Sequence, residues 1–433
     1  MGRHSGRAAV LSALFMGLGQ LYNRQWLKGI LLALIELAFL IYLLPRAIKD
    51  AQGLITLGDT PQLFVDGIFI PGDHSIYMMV FGLITLLNVA IFIAVYAVGI
   101  MDARKVGQAR DEGHSSNSFM KSLYVLTDKG FPYLMLTPSV ALILFITLLP
   151  LVFGVLIAFT NYSSPNHLPP RALVDWVGFS NFADLFRLPS LSRTLGGVAL
   201  WTFVWAILAT GGSFLIGMLL ALLTNASGIR FKKIWRVIFI LPWAMPQFIS
   251  ALIMRNMLNQ EFGPINRALD RLGIDPIPWL TDPTMAKISC ILVDFWFEFP
   301  YYMILITGVL ANINKDMYES ASLEGAGTFT RFRAITLPMV LQVTFPLIIM
   351  GFAFNFNNFT FIYLLTGGEP RNISFSFAGH TDILLSWLYK ITLEQNQFHL
   401  AATVSILIFL VISAISVVSL RSSKSYQEED MMR

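Results

Sequence analysis

The sequence predicts an all-α polytopic membrane protein with about eight transmembrane helices, and three observations carry that prediction. Hydrophobic residues fill 55% of the 433 positions and charged residues only 13%, against about 25% charged in soluble domains. The mean hydropathy is +0.65, so polar surface is too scarce to face water and lipid must be the solvent. The apolar residues also fall in runs of about twenty, the length that crosses roughly 30 Å of hydrocarbon as a helix.

Eight runs qualify, at about 26–44, 77–101, 134–160, 197–224, 234–258, 286–311, 341–365 and 399–420. Residues 8–22 are shorter and carry Gly17 and Gly19, which suits an interfacial or re-entrant helix leading into the first span. The stretch Arg3 to Leu14 has a signal-like look. Gln20, Asn23, Arg24 and Gln25 follow it without a small-residue cleavage site, so it is expected to be retained.

Lysine and arginine placement sets the orientation. Arg3, Arg7 and Arg24, then Arg104, Lys105, Arg110, Lys121 and Lys129, fall on one side. Arg230, Lys232, Lys233 and Arg236, then Lys315, Arg331 and Arg333, and finally Arg421 and Lys424, fall on the same side. The longer loops 45–76, 161–196, 259–285 and 366–398 face the other way, and none is long enough for a globular domain. Both termini are expected in the cytoplasm.

Several functions are excluded or unsupported. No GxxxxGK[ST] phosphate loop occurs, so the chain does not bind and hydrolyse ATP by that route. The single cysteine, Cys290, leaves no disulfide framework and no cysteine metal site. The six histidines are scattered without paired ligand spacing, which argues against a metal centre or a membrane-embedded enzyme. A net charge of +4 with basic residues in loops reads as topology rather than a nucleic-acid patch.

Ionisable groups at bilayer depth are costly and therefore functional candidates. Asp294 and Glu298 share one face of the sixth run, with Trp296 and Tyr301 nearby. Carboxylates accept hydrogen bonds from sugar hydroxyls and aromatic rings stack on pyranose faces, so a carbohydrate pathway is one reading. A structural pair, with Arg255 as partner, is another, and both stay open. In the seventh run Asn355, Asn357 and Asn358 lie among Phe354, Phe356 and Phe359. Glu36 in the first run reads as a structural contact.

Between the sixth and seventh runs lies a segment rich in small residues, from Tyr318 through Gly325 and Gly327 to Pro338. A short helix ending at Gly325, a turn, and a second short helix carrying Phe329, Phe332 and Ile335 fit it. On chemistry alone this is an amphipathic surface linker or a docking element.

The spacing of Glu319, Ala321, Gly325, Ile335, Leu337 and Pro338 resembles the EAA loop of binding-protein-dependent ABC importer permeases. From about residue 131, Ala158-Phe159-Thr160-Asn161-Tyr162, Leu241-Pro242-Trp243-Ala244-Met245-Pro246, Phe352 to Phe359 and Leu364 to Gly368 resemble the larger permease subunit of maltose and maltodextrin importers. The resemblance implies a type I ABC importer permease fold in a bacterial cytoplasmic membrane. Residues 1–130 would form the N-terminal helix and first two spans, and 131–425 the core permease with six spans and a docking loop at 315–338.

It implies a transport pathway for a di- or oligosaccharide, with no catalysis and no cofactor in this chain, ATP and Mg being bound by partner ATPases. The implied partners are a second homologous permease, two ATP-binding subunits, an extracytoplasmic sugar-binding protein and membrane lipid, with no nucleic acid. Sugar contacts carried over on the family motif are Asp294, Phe297, Glu298, Tyr301, Gly351, Phe354, Asn355 and Asn358. ATPase coupling falls to Glu319, Ser320, Ala321, Gly325, Phe329, Leu337 and Pro338.

Four positions depart from the family pattern: Asp294 from asparagine, Glu298 from glycine, Gly351 from serine and Ser320 from alanine. The large insertion of the best-known members is replaced by a loop at 161–196. The alternative to an ATP-driven importer is an ion-coupled sugar transporter using Asp294 and Glu298, which predicts inverted repeats that the sequence does not display.

Overall fold

The computed structural model describes residues 3–65, 68–113, 128, 130–168, 172–226 and 228–422. Lys121, Lys129 and Lys424, used above for orientation, lie outside the described residues. The chain folds as two compact units, Met1–Asn181 and Phe182–Arg433. The division expected between residues 130 and 131 follows the reach of a sequence resemblance, not packing, and stands as a proposal.

The first unit opens with α1 (Arg3–Leu14) and α2 (Leu18–Tyr22) rather than one helix over 8–22. Gly17, at φ +97°, makes the break, and a Cβ there would collide with the Gly29 carbonyl of α3 (Trp26–Thr56). Buried polar side chains hold this hairpin. Glu36 of α3 accepts from the Met16 amide at the break. Gln20 donates to the Gly99 carbonyl of α4 (Ser75–Asp111) at 2.8 Å, and Asn23 to the Ala103 carbonyl at 2.8 Å. A short antiparallel hairpin, β1 (Leu63–Val65) and β2 (Ile68–Ile70), lies between α3 and α4, with Leu63 opposite Ile70. The helix α5 (Phe131–Ile157) follows. Asn181 then donates to the carbonyls of Ala158 and Thr160 at 2.8 and 2.7 Å, closing the segment after α5.

The second unit contains α6 (Ser180–Arg187, which begins at the boundary), α7 (Pro189–Asn225), α8 (Lys232–Ala244), α9 (Gln247–Met257), α10 (Pro264–Arg271) and α11 (Pro283–Asn312). After these come α12 (Lys315–Leu323), α13 (Thr328–Phe356), α14 (Phe359–Leu365), α15 (Leu384–Tyr389) and α16 (Phe398–Ser422). Its heart is the α7–α11 pair. Along α7, Ala206, Thr210, Ser213, Gly217 and Ala221 are all buried at three- or four-residue spacing. In lipid, where no hydrophobic drive pushes helices together, such small residues let backbones approach and gain dispersion contact. Gly217 shows how close: a Cβ would sit 2.6 Å from the Tyr302 Cβ and 2.8 Å from the Phe299 carbonyl.

Proline does not stop the long helices. Pro45, Pro150 and Pro338 each follow a π-helical turn, at Phe39–Leu43, Ile143–Leu148 and Phe332–Thr336. A proline ring clashes with the carbonyl four residues back, and in all three cases that carbonyl belongs to the widened turn. The second short helix expected before Pro338 is consequently continuous with the next span, as the single helix α13.

Among the described residues six helices are long and apolar enough to cross a membrane: α3, α4, α5, α7, α11 and α13. The run at 234–258 is not one helix. It breaks between α8 and α9 with a bend of 93°, because Pro246 forces Met245 into extended backbone (φ −92°, ψ 141°). The run at 341–365 stops at Phe356, and α14 resumes beyond Asn357 and Asn358. The last run forms α16, whose long apolar stretch covers Phe398–Ala414.

Candidate functional site

Helices α11 and α13 run antiparallel, with Tyr302 opposite Gly351 and Glu298 opposite Asn355. Between them and the α8–α9 break lies a cavity of about 510 Å³, within the roughly 300–1,000 Å³ typical of ligand sites. Phe297, Glu298 and Tyr301 of α11 and Gly351 and Phe354 of α13 are on its wall. Five of the eight sugar-contact residues predicted from the sequence are therefore brought together.

Asp294, Asn355 and Asn358 are not on that wall. Asn355 is fully buried behind it. Its Nδ2 donates to Glu298 Oε2 at 2.9 Å and to Thr210 Oγ1 at 3.1 Å, while its carbonyl accepts from Trp205 Nε1 at 3.0 Å. Asn358 caps α14, its Oδ1 accepting from the Phe361 amide at 3.3 Å. Asp294 is completely buried, and neither carboxylate oxygen has a hydrogen-bond partner among the described residues. Arg255, weighed above as its partner, forms no ion pair with it and lines a different cavity.

The sequence reading missed Trp243, Met245 and Gln247, which the α8–α9 break presents to the cavity, and Tyr302. A signal was available in the two prolines, Pro242 and Pro246, bracketing Trp243: broken backbone at membrane depth is tolerated where it lines a cavity. Trp243 and Phe354 are about half exposed, at 54% and 55%, and Trp243 lies 6.4 Å from Tyr301 between ring centroids. The wall thus combines exposed aromatic faces with the Glu298 carboxylate and the Gln247 amide. Such a surface stacks on apolar faces and accepts hydroxyl hydrogen bonds.

Gly351 is tightly packed against α11. A Cβ at this position would overlap the Tyr302 hydroxyl. Glycine here lets a tyrosine from α11 occupy space that a side chain on α13 would otherwise take.

At the end of α11 the chain forms a second feature. The Asn314 side chain accepts from the Asp316 amide at 3.0 Å and starts α12, and Gly325, at φ +85°, ends it. Arg331 donates to Ser322 Oγ at 2.7 Å, and Tyr318 shares a 2.8 Å hydrogen bond with Thr336, so α12 is pinned to the start of α13. Glu319 and Ser320 are exposed, as are Leu323 at 91% and Phe329 at 73%. Pro338 follows the π-helical turn and Leu337 is half-buried.

Residues 213–423 match the family described as "Binding-protein-dependent transport system inner membrane component". The chain is 38% identical to the galactooligosaccharides transport system permease protein of Bacillus subtilis (strain 168), over 98% of this chain and 99% of the relative. It is 37% identical to the maltodextrin transport system permease protein of Streptococcus pneumoniae serotype 4, over 98% and 97%. A solved bacterial ABC transporter involved in alginate import shares the fold, with a TM-score of 0.57 at 22% identity, covering 70% of this chain and 99% of that one. This chain belongs to the family of binding-protein-dependent transport system inner membrane components, the multi-pass permease subunits of ABC importers.

Proposed function

We propose that this chain is the larger permease subunit of an importer for a neutral di- or oligosaccharide of the maltodextrin or galactooligosaccharide kind. The observation that carries the reading is the cavity at the middle of α11 and α13, where Trp243, Tyr301 and Phe354 supply stacking faces beside Glu298 and Gln247. The named activities of its relatives support the substrate class. Phe297, Glu298, Tyr301, Gly351 and Phe354 then line the pathway. Asn355 and Asn358 act from behind the wall, and Asp294 forms part of the buried frame.

Eight crossings follow if α8–α9 and α16 each traverse the bilayer, with both termini and α12 on the cytoplasmic side. The exposed Glu319, Ser320, Leu323 and Phe329, with the half-buried Ala321 among them, then meet an ATP-binding subunit, and Gly325, Leu337 and Pro338 set the geometry. A second permease, two ATPases and an extracytoplasmic binding protein complete the machine. Closure of the ATPases pulls on α12. The pinning of α12 to α13 passes that motion to the cavity wall, and the cavity changes the side on which it opens.

The test is reconstitution of the complete complex in proteoliposomes with its binding protein and labelled maltotriose or galactotriose. Uptake that needs ATP and is indifferent to ion gradients is expected. Uptake driven by an ion gradient without ATP would sink the reading.

A further inference from the structure

A second cavity in the same unit, of about 580 Å³, has no role in the pathway described above. Arg255, Tyr363, Glu369, Arg371, Phe375 and Glu394 are on its wall. It is built mainly from the segment after α14, which lies at the end of the unit opposite α12, since α11 and α13 run antiparallel between the two. In the proposed orientation this end faces outward.

The segment is held rigidly. Asp382, 1% exposed, accepts from the Gly379 amide at 2.7 Å, Ser386 Oγ at 2.8 Å and Lys390 Nζ at 2.7 Å. Thr381 Oγ1 donates to the Glu369 carbonyl at 2.7 Å, and Arg371 bridges Gly379 through the backbone. Gly368 sits at φ +80° with no room for a Cβ against the Asp382 carboxylate. Trp201 Nε1 and Thr194 Oγ1 of α7 tie the segment down at the Thr381 carbonyl and the Ser376 amide.

On this frame the charged groups of the wall are left unused. Arg255, Glu369, Arg371 and Glu394 form no ion pair among the described residues, and their side chains make no hydrogen bond to one another. Lys390 is neutralised by Asp382. Two guanidinium groups and two carboxylates therefore balance, which disfavours a strongly anionic or cationic ligand. Unpaired donors and acceptors carried on a rigid backbone and flanked by Tyr363 and Phe375 suit a neutral polyol with an apolar face.

We propose that this cavity is a second carbohydrate subsite, a receiving site for neutral oligosaccharide on the outer side of the transmembrane cavity. The proposal rests on the sugar-importer reading above. It divides the pathway into two binding steps, one at Arg371 and Glu394 and one at Trp243 and Phe354.

The test uses the full transport complex in nanodiscs without binding protein and maltotriose as the probe, read by saturation-transfer NMR. Trp243→Ala with Phe354→Ala should leave a residual signal, and adding Arg371→Ala with Glu394→Ala should reduce it at least fivefold. Size-exclusion chromatography with the partner subunits checks assembly of each variant. A signal already lost in the first variant, or a residual signal indifferent to the second pair of changes, overturns the proposal. Loss of binding-protein capture with an unchanged maltotriose signal also overturns it, and marks the cavity as a protein-docking surface. If the wild-type complex with binding protein and ATP imports no neutral oligosaccharide, the importer reading itself fails. Import by the wild type without a second signal fails only the subsite.

Discussion

Asn355 Nδ2 donates to Glu298 Oε2 across 2.9 Å and so ties α13 to α11 at the cavity wall. Glu298 places a carboxyl group at the wall, and the fully buried asparagine behind it supplies a donor. Glu298→Gln offers a neutral oxygen to the same donor, so uptake should fall only a fewfold. Glu298→Ala leaves Asn355 with Thr210 as its one side-chain acceptor. Leaving a buried donor short of a partner costs about 1–3 kcal/mol. Maltotriose uptake should therefore drop tenfold or more, and the preferred chain length should shift as the cavity enlarges. Uptake assays over sugars of increasing length check both outcomes.

In Gly351→Ser, the residue that the sequence resemblance implies, the new side chain meets the Tyr302 hydroxyl. Overfilling a packed site costs about 1–3 kcal/mol. The expected result is a five- to fiftyfold rise in apparent KM for uptake. The double change Gly351→Ser with Tyr302→Phe removes the clashing oxygen and should recover most of the loss. No recovery would separate the effect from Tyr302.

Much of this site was legible in the sequence, and the illegible part has physical causes. Glu298, Phe297, Tyr301, Gly351 and Phe354 were named from the resemblance to a family motif, and the structure places those five on the cavity wall because they fall on helix faces that turn to it. Asn355 and Asn358 share that motif yet are not on the wall, since chain spacing does not tell whether an amide meets ligand or holds a neighbour. Trp243, Met245 and Gln247 escaped because an apolar run reads as one straight helix, and only Pro246 reveals the 93° bend. At Pro45, Pro150 and Pro338 the opposite error beckoned: a proline that signals a helix boundary is absorbed by a π-helical turn. Even Glu36, apolar in its surroundings, had a partner that no pattern showed, the Met16 amide exposed by the Gly17 break.

Gly325 ends α12 in the left-handed region, φ +85°, with open space around it. Alanine there meets no steric neighbour, so the penalty is conformational, about 1–2 kcal/mol. Gly325→Ala should loosen the angle between α12 and α13 and weaken capture of the ATP-binding subunit by five- to thirtyfold, measured by pull-down from detergent. Phe329→Ala removes a ring that is 73% exposed and should weaken capture without altering thermal stability of the isolated permease. A stability loss with normal capture would instead assign Phe329 to the fold.

Asp382 carries the strongest stability prediction. Burial pushes its carboxyl above the usual carboxylate range, while Lys390 and the hydrogen bonds from Gly379 and Ser386 pull it back. A carboxyl with a raised folded pKa binds its proton more tightly when folded, so this burial cost grows as pH rises from the unfolded value, about 3.9, through the folded one. At neutral pH the partners offset only part of that cost. Asp382→Ala strands the Lys390 ammonium, 12% exposed, and the Gly379 amide. Removing one partner of a buried pair typically costs about 3–5 kcal/mol. The segment after α14 should unfold locally, seen as faster hydrogen exchange at residues 366–395. Asp382→Ala with Lys390→Met removes both charges and should regain much of that protection. Equal exchange in the single and double variants would show that the backbone amide of Gly379, not the ion pair, dominates the clamp.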